Sequence, residues 1–161
     1  MNPEEQFTEY LDSHKNLILK VASIYCFNAE ERKDLIQEII LQLWKSFSNY
    51  NSTSKFSTWA YRISLNVSIS YVRKTYVRNR ALEEYKEFVK VGTPEGIQSS
   101  EKLDKLFKAL EILKPIERAI ITLNLDGCRT KEIAEIIGTT RSNVSTRLFR
   151  IKNKLKNHLN T

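Results

Sequence analysis

Four side chains in the stretch Lys55–Arg80 have types and spacing suited to holding unpaired nucleic acid: Trp59, Arg62, Asn66 and Arg73. At about 100° per residue they share one edge of a helix. The stretch carries Lys55, Arg62, Arg73, Lys74, Arg78 and Arg80 and no Asp or Glu, so nothing within it neutralises the cations. Aromatic faces stack on unpaired bases while cations hold the backbone. The alternative is structural, with Trp59 as a core side chain. The residues alone weigh the two evenly.

A second set lies in Thr130–Lys156. Here Val144, Leu148, Ile151 and Leu155 make one apolar helical stripe. Asn143, Thr146, Arg150 and Asn153 fall opposite, flanked by Ser142, Arg147 and Lys154, and no acidic residue occurs between Arg141 and Lys156. Such a face suits a DNA major groove, where Lys and Arg neutralise phosphates and short polar groups reach base edges. The bland alternative is a solvated basic surface helix. Upstream, Thr130 is expected to cap a short helix with Ile133, Ala134, Ile136 and Ile137 inward. Gly138 then takes the sharp turn, and Thr139 or Thr140 caps the basic helix. Elbow, caps and unopposed charge together predict a helix-turn-helix.

Bulk properties bound what else is possible. The 161 residues carry a net charge of +7, are 41% hydrophobic and 28% charged, and suffice for one domain or two small ones. Clustered basic charge favours a polyanionic partner. Cys26 and Cys128 stand far apart with no CxxC pair, and His14 and His158 lie away from both, so no metal site or cofactor is expected. Both cysteines are expected to be small core residues in a reducing cytoplasm. The start, MNPEEQF, is acidic and polar, unlike a signal peptide, and no apolar run approaches the length of a membrane span. There are no paired carboxylates in a metal-like context, no phosphate-cradling glycine loop and no Cys/His nucleophile arrangement, so no enzyme is expected.

These residues require helices to position them. Asn2, Pro3, Glu4 and Glu5 predict a helix start, with Phe7, Leu11, His14, Ile18, Val21 and Tyr25 at helical spacing; His14 on that face reads as a core or boundary residue. Asn28 opens a second helix, Ala29 to about Phe47, whose apolar stripe is Leu35, Ile36, Ile39, Ile40, Leu43, Trp44 and Phe47. Its other side carries Asp34, Gln37, Glu38, Leu41, Gln42 and Lys45. Leu41 is there either a half-covered surface leucine or the centre of a protein-docking face. Residues 48–54 form a polar loop. In the third helix, Phe56, Ala60, Ile63 and Val67 form one apolar stripe, and Tyr61, Leu65, Val72 and Tyr76 a second, roughly opposite. Order fades from Ala81 to about Ser100. It returns with Leu103, Leu106, Phe107, Leu110 and Leu113, and then with Ile116, Ala119, Ile120 and Leu123 after Pro115. The expectation is an all-α fold: a domain over residues 1–90, a flexible linker at 91–101, and a four-helix helix-turn-helix domain over residues 102–161.

Three segments, DLIQEIILQLWKSF (Asp34–Phe47), KFSTWAYRISLNVSISYVRK (Lys55–Lys74) and LKPIERAIITLNLDGCRTKEIAEIIGTTRSNVSTRLFRIKNKLKNHL (Leu113–Leu159), resemble in order and spacing a bacterial sigma factor of the sigma-70 family, of the small extracytoplasmic-function type. The resemblance implies a transcription initiation factor that binds core RNA polymerase, recognises promoter −10 and −35 elements and promotes DNA opening. It implies that Asp34, Gln37, Glu38, Leu41 and Gln42 meet the polymerase clamp. Trp59, Arg62, Asn66, Arg73 and Lys74 would engage the −10 element as a melted strand. Arg141, Ser142, Asn143, Thr146, Arg147 and Arg150 would read the −35 duplex. It also makes an anti-sigma factor a candidate partner. The loop before the third helix departs from the family's common acidic or glycine-containing form, so −10 base preference does not transfer. Phe149 could meet a thymine methyl, the preceding helix or polymerase. The rival reading is a stand-alone helix-turn-helix regulator that binds duplex DNA as a dimer; it leaves the acid-free, aromatic stretch Lys55–Arg80 without a purpose.

Overall fold

Asn2 holds extended backbone, accepts a hydrogen bond from the Glu5 N–H at 2.8 Å, and starts helix α1, Pro3–Tyr25. The computed structural model describes residues 1–83 and 101–160. Asn28 caps α2, Ala29–Ser46, by accepting from the N–H groups of Glu30 and Glu31. A short 3-10 turn, Phe47–Asn49, follows, then α3, Phe56–Glu83. After these come α4 (Glu101–Glu111), α5 (Pro115–Leu125), α6 (Thr130–Ile137) and α7 (Arg141–Leu159). Among the described residues there is no strand, and the chain divides into two compact units. The linker expected at residues 91–101 lies outside the described residues, except for Glu101, which opens α4.

In the first unit α1, α2 and α3 pack on one another. Helix α2 contributes Leu35, Ile39 and Leu43, four residues apart and fully buried; each is worth roughly 1.5–3 kcal/mol of burial. Ile36, Ile40 and Phe47 of the expected stripe are half-buried, and Trp44 is 40% exposed. Helix α3 corrects the expectation of two opposite apolar stripes. Phe56, Ala60, Tyr61, Leu65 and Ile69 are buried, Ile63, Val67 and Val72 only half so, and Tyr76 is 64% exposed. Between the two stripes lie Ser64 and Ser68, fully buried, with hydroxyls that have no hydrogen-bond partner among the described residues. One broad buried face therefore replaces two narrow ones. Small side chains at its centre let a single helix settle against both α1 and α2, and a polar residue type conceals this from apolar periodicity. Cys26 ends α1 and is buried; burial foremost, with the nearby Glu31 charge, pushes its thiol up to about 12 against the opposing effect of Arg32. Cys128 is half-buried rather than a core residue.

In the second unit, Ala119, Ile120, Ile121 and Leu123 of α5 meet Ile133, Ala134 and Ile136 of α6 and Val144, Leu148 and Ile151 of α7 in one core. Leu110 and Leu113 complete it beside α4, whereas Leu106 is 45% exposed, against expectation. The last turn of α4, not its middle, faces the core. Asp126-Gly127 closes α5 with Gly127 at φ 88°, and the Cys128 N–H donates to the Leu123 carbonyl at 3.0 Å. That closure puts extended backbone at Arg129, so Arg129, not Thr130, occupies the N-cap of α6, without a side-chain bond.

Gly138 ends α6 at φ 84°, ψ 43°, and the N–H groups of Gly138 and Thr139 both donate to the Ala134 carbonyl at 2.9 and 3.0 Å. An added Cβ there would meet nothing within 4 Å, so backbone strain alone opposes substitution. Gly138→Ala is expected to destabilise the chain by about 1–2 kcal/mol, read as a lower urea midpoint with an unchanged m-value.

Candidate nucleic-acid interface

Burial of Ser64 and Ser68 sets the rotation of α3 and turns the opposite edge to solvent. Arg62, Asn66, Arg73 and Lys74 are exposed on it. Trp59 sits at its start, half-buried at the border of an aromatic cluster. Its ring lies 5.0 Å from Tyr50, 5.3 Å from Phe56 and 6.4 Å from Phe47, centroid to centroid. Tyr10 stacks on Phe56 at 4.6 Å, and His14, whose Nδ1 lies 2.8 Å from the Tyr10 carbonyl oxygen, packs against the same ring. Trp59 thus meets both of its alternatives: part of the indole is held by neighbours and part remains open. The cluster draws on α1, the 3-10 turn, the following loop and α3, so no single window of sequence displays it.

Asp34, Gln37, Glu38, Leu41 and Gln42 are all exposed on α2, with Leu41 46% exposed at the centre of the face. Asp34, Glu38 and Gln42 also form one wall of a groove of about 470 Å³, whose other wall is Asn66, Ser70 and Lys74 of α3, with Ile63, Val67 and Tyr71 between. The structure thereby brings together residues that periodicity assigned to two separate faces. Gln37 and Leu41 lie outside the groove lining, as do Trp59, Arg62 and Arg73. Ser70 and Tyr71 are lining residues that the sequence reading passed over. Burial, with the charges of Cys26, Glu31 and Asp34 adding, raises the Tyr71 phenol against a hydrogen bond to Thr75 that lowers it.

In the second unit, Thr140 is the cap of α7, accepting from the Asn143 N–H at 3.1 Å. Val144, with no exposed surface, is buried in the first turn of α7, which packs against α6. Arg141, Ser142, Asn143, Thr146 and Arg150 are exposed and Arg147 is half-buried, so all six predicted side chains lie off the buried face. Phe149 is 69% exposed, so it does not pack on the preceding helix.

A first unit with an acid-free outward edge and a second with a basic helix-turn-helix is the arrangement expected of a sigma factor. A model of sigma-70 region 2 matches residues 10–82, and a model of sigma-70 region 4 matches residues 103–155. The chain belongs to the sigma-70 family. It is 26% identical to the extracytoplasmic-function RNA polymerase sigma factor SigW of Bacillus subtilis, over 97% of this chain and 90% of that one. It is 29% identical to the extracytoplasmic-function sigma-E factor of Escherichia coli K12, over 77% of this chain and 71% of that one. Among solved structures, the sigma factor RpoE of Bartonella quintana, crystallised with the anti-sigma factor NepR, shares the fold at a TM-score of 0.75 and 19% identity, covering 98% of both chains. CnrH in complex with the cytosolic domain of CnrY does so at 0.70 and 20%, over 98% of this chain and 89% of that one. The chain is thus an extracytoplasmic-function sigma factor, and the stand-alone regulator is not favoured. No described helix is long and apolar enough to cross a membrane.

In this sigma factor α7 is also tied to α5 by a bond that no local pattern predicts. Lys154 donates to Glu117 at 2.8 and 3.2 Å, and the Lys114 N–H donates to the same carboxylate at 3.1 Å. The partners are 37 residues apart, which is why the sequence reading left Lys154 on the free polar face. Burial works to raise the Glu117 carboxyl. The Lys154 bond, the Lys114 backbone bond and the two ammonium charges outweigh it, and the carboxyl sits below its ordinary value. A lowered carboxyl contributes stability that is present above its unfolded value and lost as pH falls through the folded one. The pair is half-open to water, so it is worth at most about 1 kcal/mol. Glu117→Gln is expected to lose that amount at pH 7, the difference from the natural chain closing only as pH falls through the lowered folded-state value of Glu117, measured by urea unfolding at pH 7 and across the acid range.

Proposed function

We propose that the first unit docks on core RNA polymerase and captures the melted −10 strand while the second grips the −35 duplex. The observation that carries this reading is the outward edge of α3. It carries Arg62, Arg73 and Lys74 and no acid of its own, is headed by a half-open indole and is turned away from the helix's own core, while Asn66 and Lys74 face Asp34 and Glu38 across the groove. A purely structural helix has no need of such an edge. Trp59 would stack on an unpaired base, with Arg62, Arg73 and Lys74 on phosphates and Asn66 at a base edge. Unstacking costs a few kcal/mol per base, which the pocket and stacking contacts offset. On α7, Arg141, Ser142, Asn143, Thr146, Arg147 and Arg150 would divide between phosphates and base edges. The exposed Phe149 is left to a thymine methyl or polymerase.

Asp34, Gln37, Glu38, Leu41 and Gln42 would form the polymerase-docking face, an exposed leucine ringed by polar groups as in a small interface core and its rim. Residues 1–90 and 102–161 would be the two functional modules. Tethering lets two modest DNA contacts act together, which makes the pair selective. The protein would work in the cytoplasm, without catalytic activity of its own. Since RpoE has been co-crystallised with an anti-sigma factor and CnrH solved in complex with the cytosolic domain of CnrY, an anti-sigma factor is a candidate partner here too.

In vitro transcription with bacterial core polymerase on genomic fragments tests the whole reading: new start sites are expected, and their absence would sink it. Trp59→Ala is expected to impair promoter opening more than polymerase binding, followed by a fluorescent base in the −10 segment and by core affinity. Equal loss of both in a folded protein would return Trp59 to a core role. Arg150→Ala is expected to weaken use of particular −35 sequences by about 1–3 kcal/mol if it reads a base edge. A loss uniform across sequences would make it a phosphate contact.

A further inference from the structure

Tyr50 links the aromatic cluster to the exposed loop that precedes α3. Its hydroxyl donates to the Ser54 carbonyl at 2.9 Å, bridging four residues. Within that span Asn51 Oδ1 accepts from both the N–H and the hydroxyl of Thr53, at 3.2 and 2.7 Å. Ser52 holds φ 61°, a left-handed conformation that a side chain rarely adopts and that persists only where the surroundings impose it. Every residue from Asn51 to Lys55 is exposed, so no packing imposes it, and the hydrogen bonds of Tyr50 and Asn51 both span Ser52. The Tyr50 ring, meanwhile, is half-buried and lies 5.0 Å from Trp59 and 5.5 Å from Phe56. One side chain thus touches both the loop and the indole beside it.

We propose that Tyr50 is a positioning residue for capture of the melted strand: its hydroxyl closes the Asn51–Ser54 loop into one conformation, and its ring holds Trp59 at the angle at which a base stacks. This rests on the reading of Trp59 as the stacking face. A free loop of four polar residues would be ordered only on binding, and that ordering would be subtracted from affinity. A loop already closed avoids the loss. Its short donors and acceptors then sit at fixed places beside the indole, and fixed polar groups discriminate between bases where mobile ones adapt to any.

The test uses the full chain bound to core polymerase and a fluorescent single-stranded −10 oligonucleotide, with Tyr50→Phe, Tyr50→Leu and Trp59→Ala compared. Tyr50→Phe removes the hydroxyl and keeps the ring packing. It is expected to weaken capture about two- to tenfold, the range of one hydrogen bond, and to narrow the preference among oligonucleotides differing at one base. Melting temperature and core affinity should stay unchanged. Tyr50→Leu, which also frees the indole, is expected to weaken capture further; should it fail to fold, Tyr50→Phe alone decides. Capture and base preference unaltered in Tyr50→Phe would overturn the proposal, as would a loss matched by equal loss of core affinity. If Trp59→Ala also leaves capture intact, the stacking reading itself falls. If Trp59→Ala abolishes capture while Tyr50→Phe does not change it, only the role of Tyr50 falls.

Discussion

The rotation of α3 about its own axis governs the first unit. A helix presents side chains in every direction, and its function depends on which sector the core takes. Here the core takes the sector centred on Ser64 and Ser68, flanked by Ala60, Tyr61, Leu65 and Ile69. The cationic edge points away as a direct consequence, and Asn66 and Lys74 come to line one groove with Asp34, Glu38 and Gln42. A turn of α3 by one residue, about 100°, would bury an arginine edge and expose the aliphatic one. The two hydroxyls, without partners among the described residues, sit where α3 is fully buried, and a larger side chain there would overpack the core.

The second unit solves the same problem with different parts. Val144, Leu148 and Ile151 set the rotation of α7, while Gly138 sets its direction by taking the one backbone conformation that lets α6 stop and turn within two residues. Thr140 restarts the chain as a helix by capping Asn143. The ion pair between Glu117 and Lys154 then fastens the far half of α7 to α5. Elbow, core stripe and tie leave Arg141 to Arg150 on a rigid support, which matters because base edges are read by geometry as much as by charge.

The aromatic cluster stands between these structural devices and the proposed chemistry. Trp59 is neither free nor enclosed. Its contacts with Tyr50, Phe56 and Phe47 restrict the ring before any base arrives, and a restricted ring loses less entropy on stacking. The same contacts join α3 to α1 through Tyr10 and His14, so the proposed base-stacking residue shares its support with the core.

From sequence alone came the helices, the stripes of α2 and α7, the elbow at Gly138, and the exposed polar faces of α2, α3 and α7. Each is written in local spacing or in one residue's backbone freedom, which act within a few positions and so survive without knowledge of the fold. The tertiary structure alone decided that α3 has one broad buried face, that Trp59 is half-held, that two predicted surfaces share a groove, and that Lys154 is paired. Serine reads as polar wherever it lies, and contacts between residues tens of positions apart leave no period in the chain. These features exist only once helices are placed side by side, when the available space, rather than residue type, chooses what is buried.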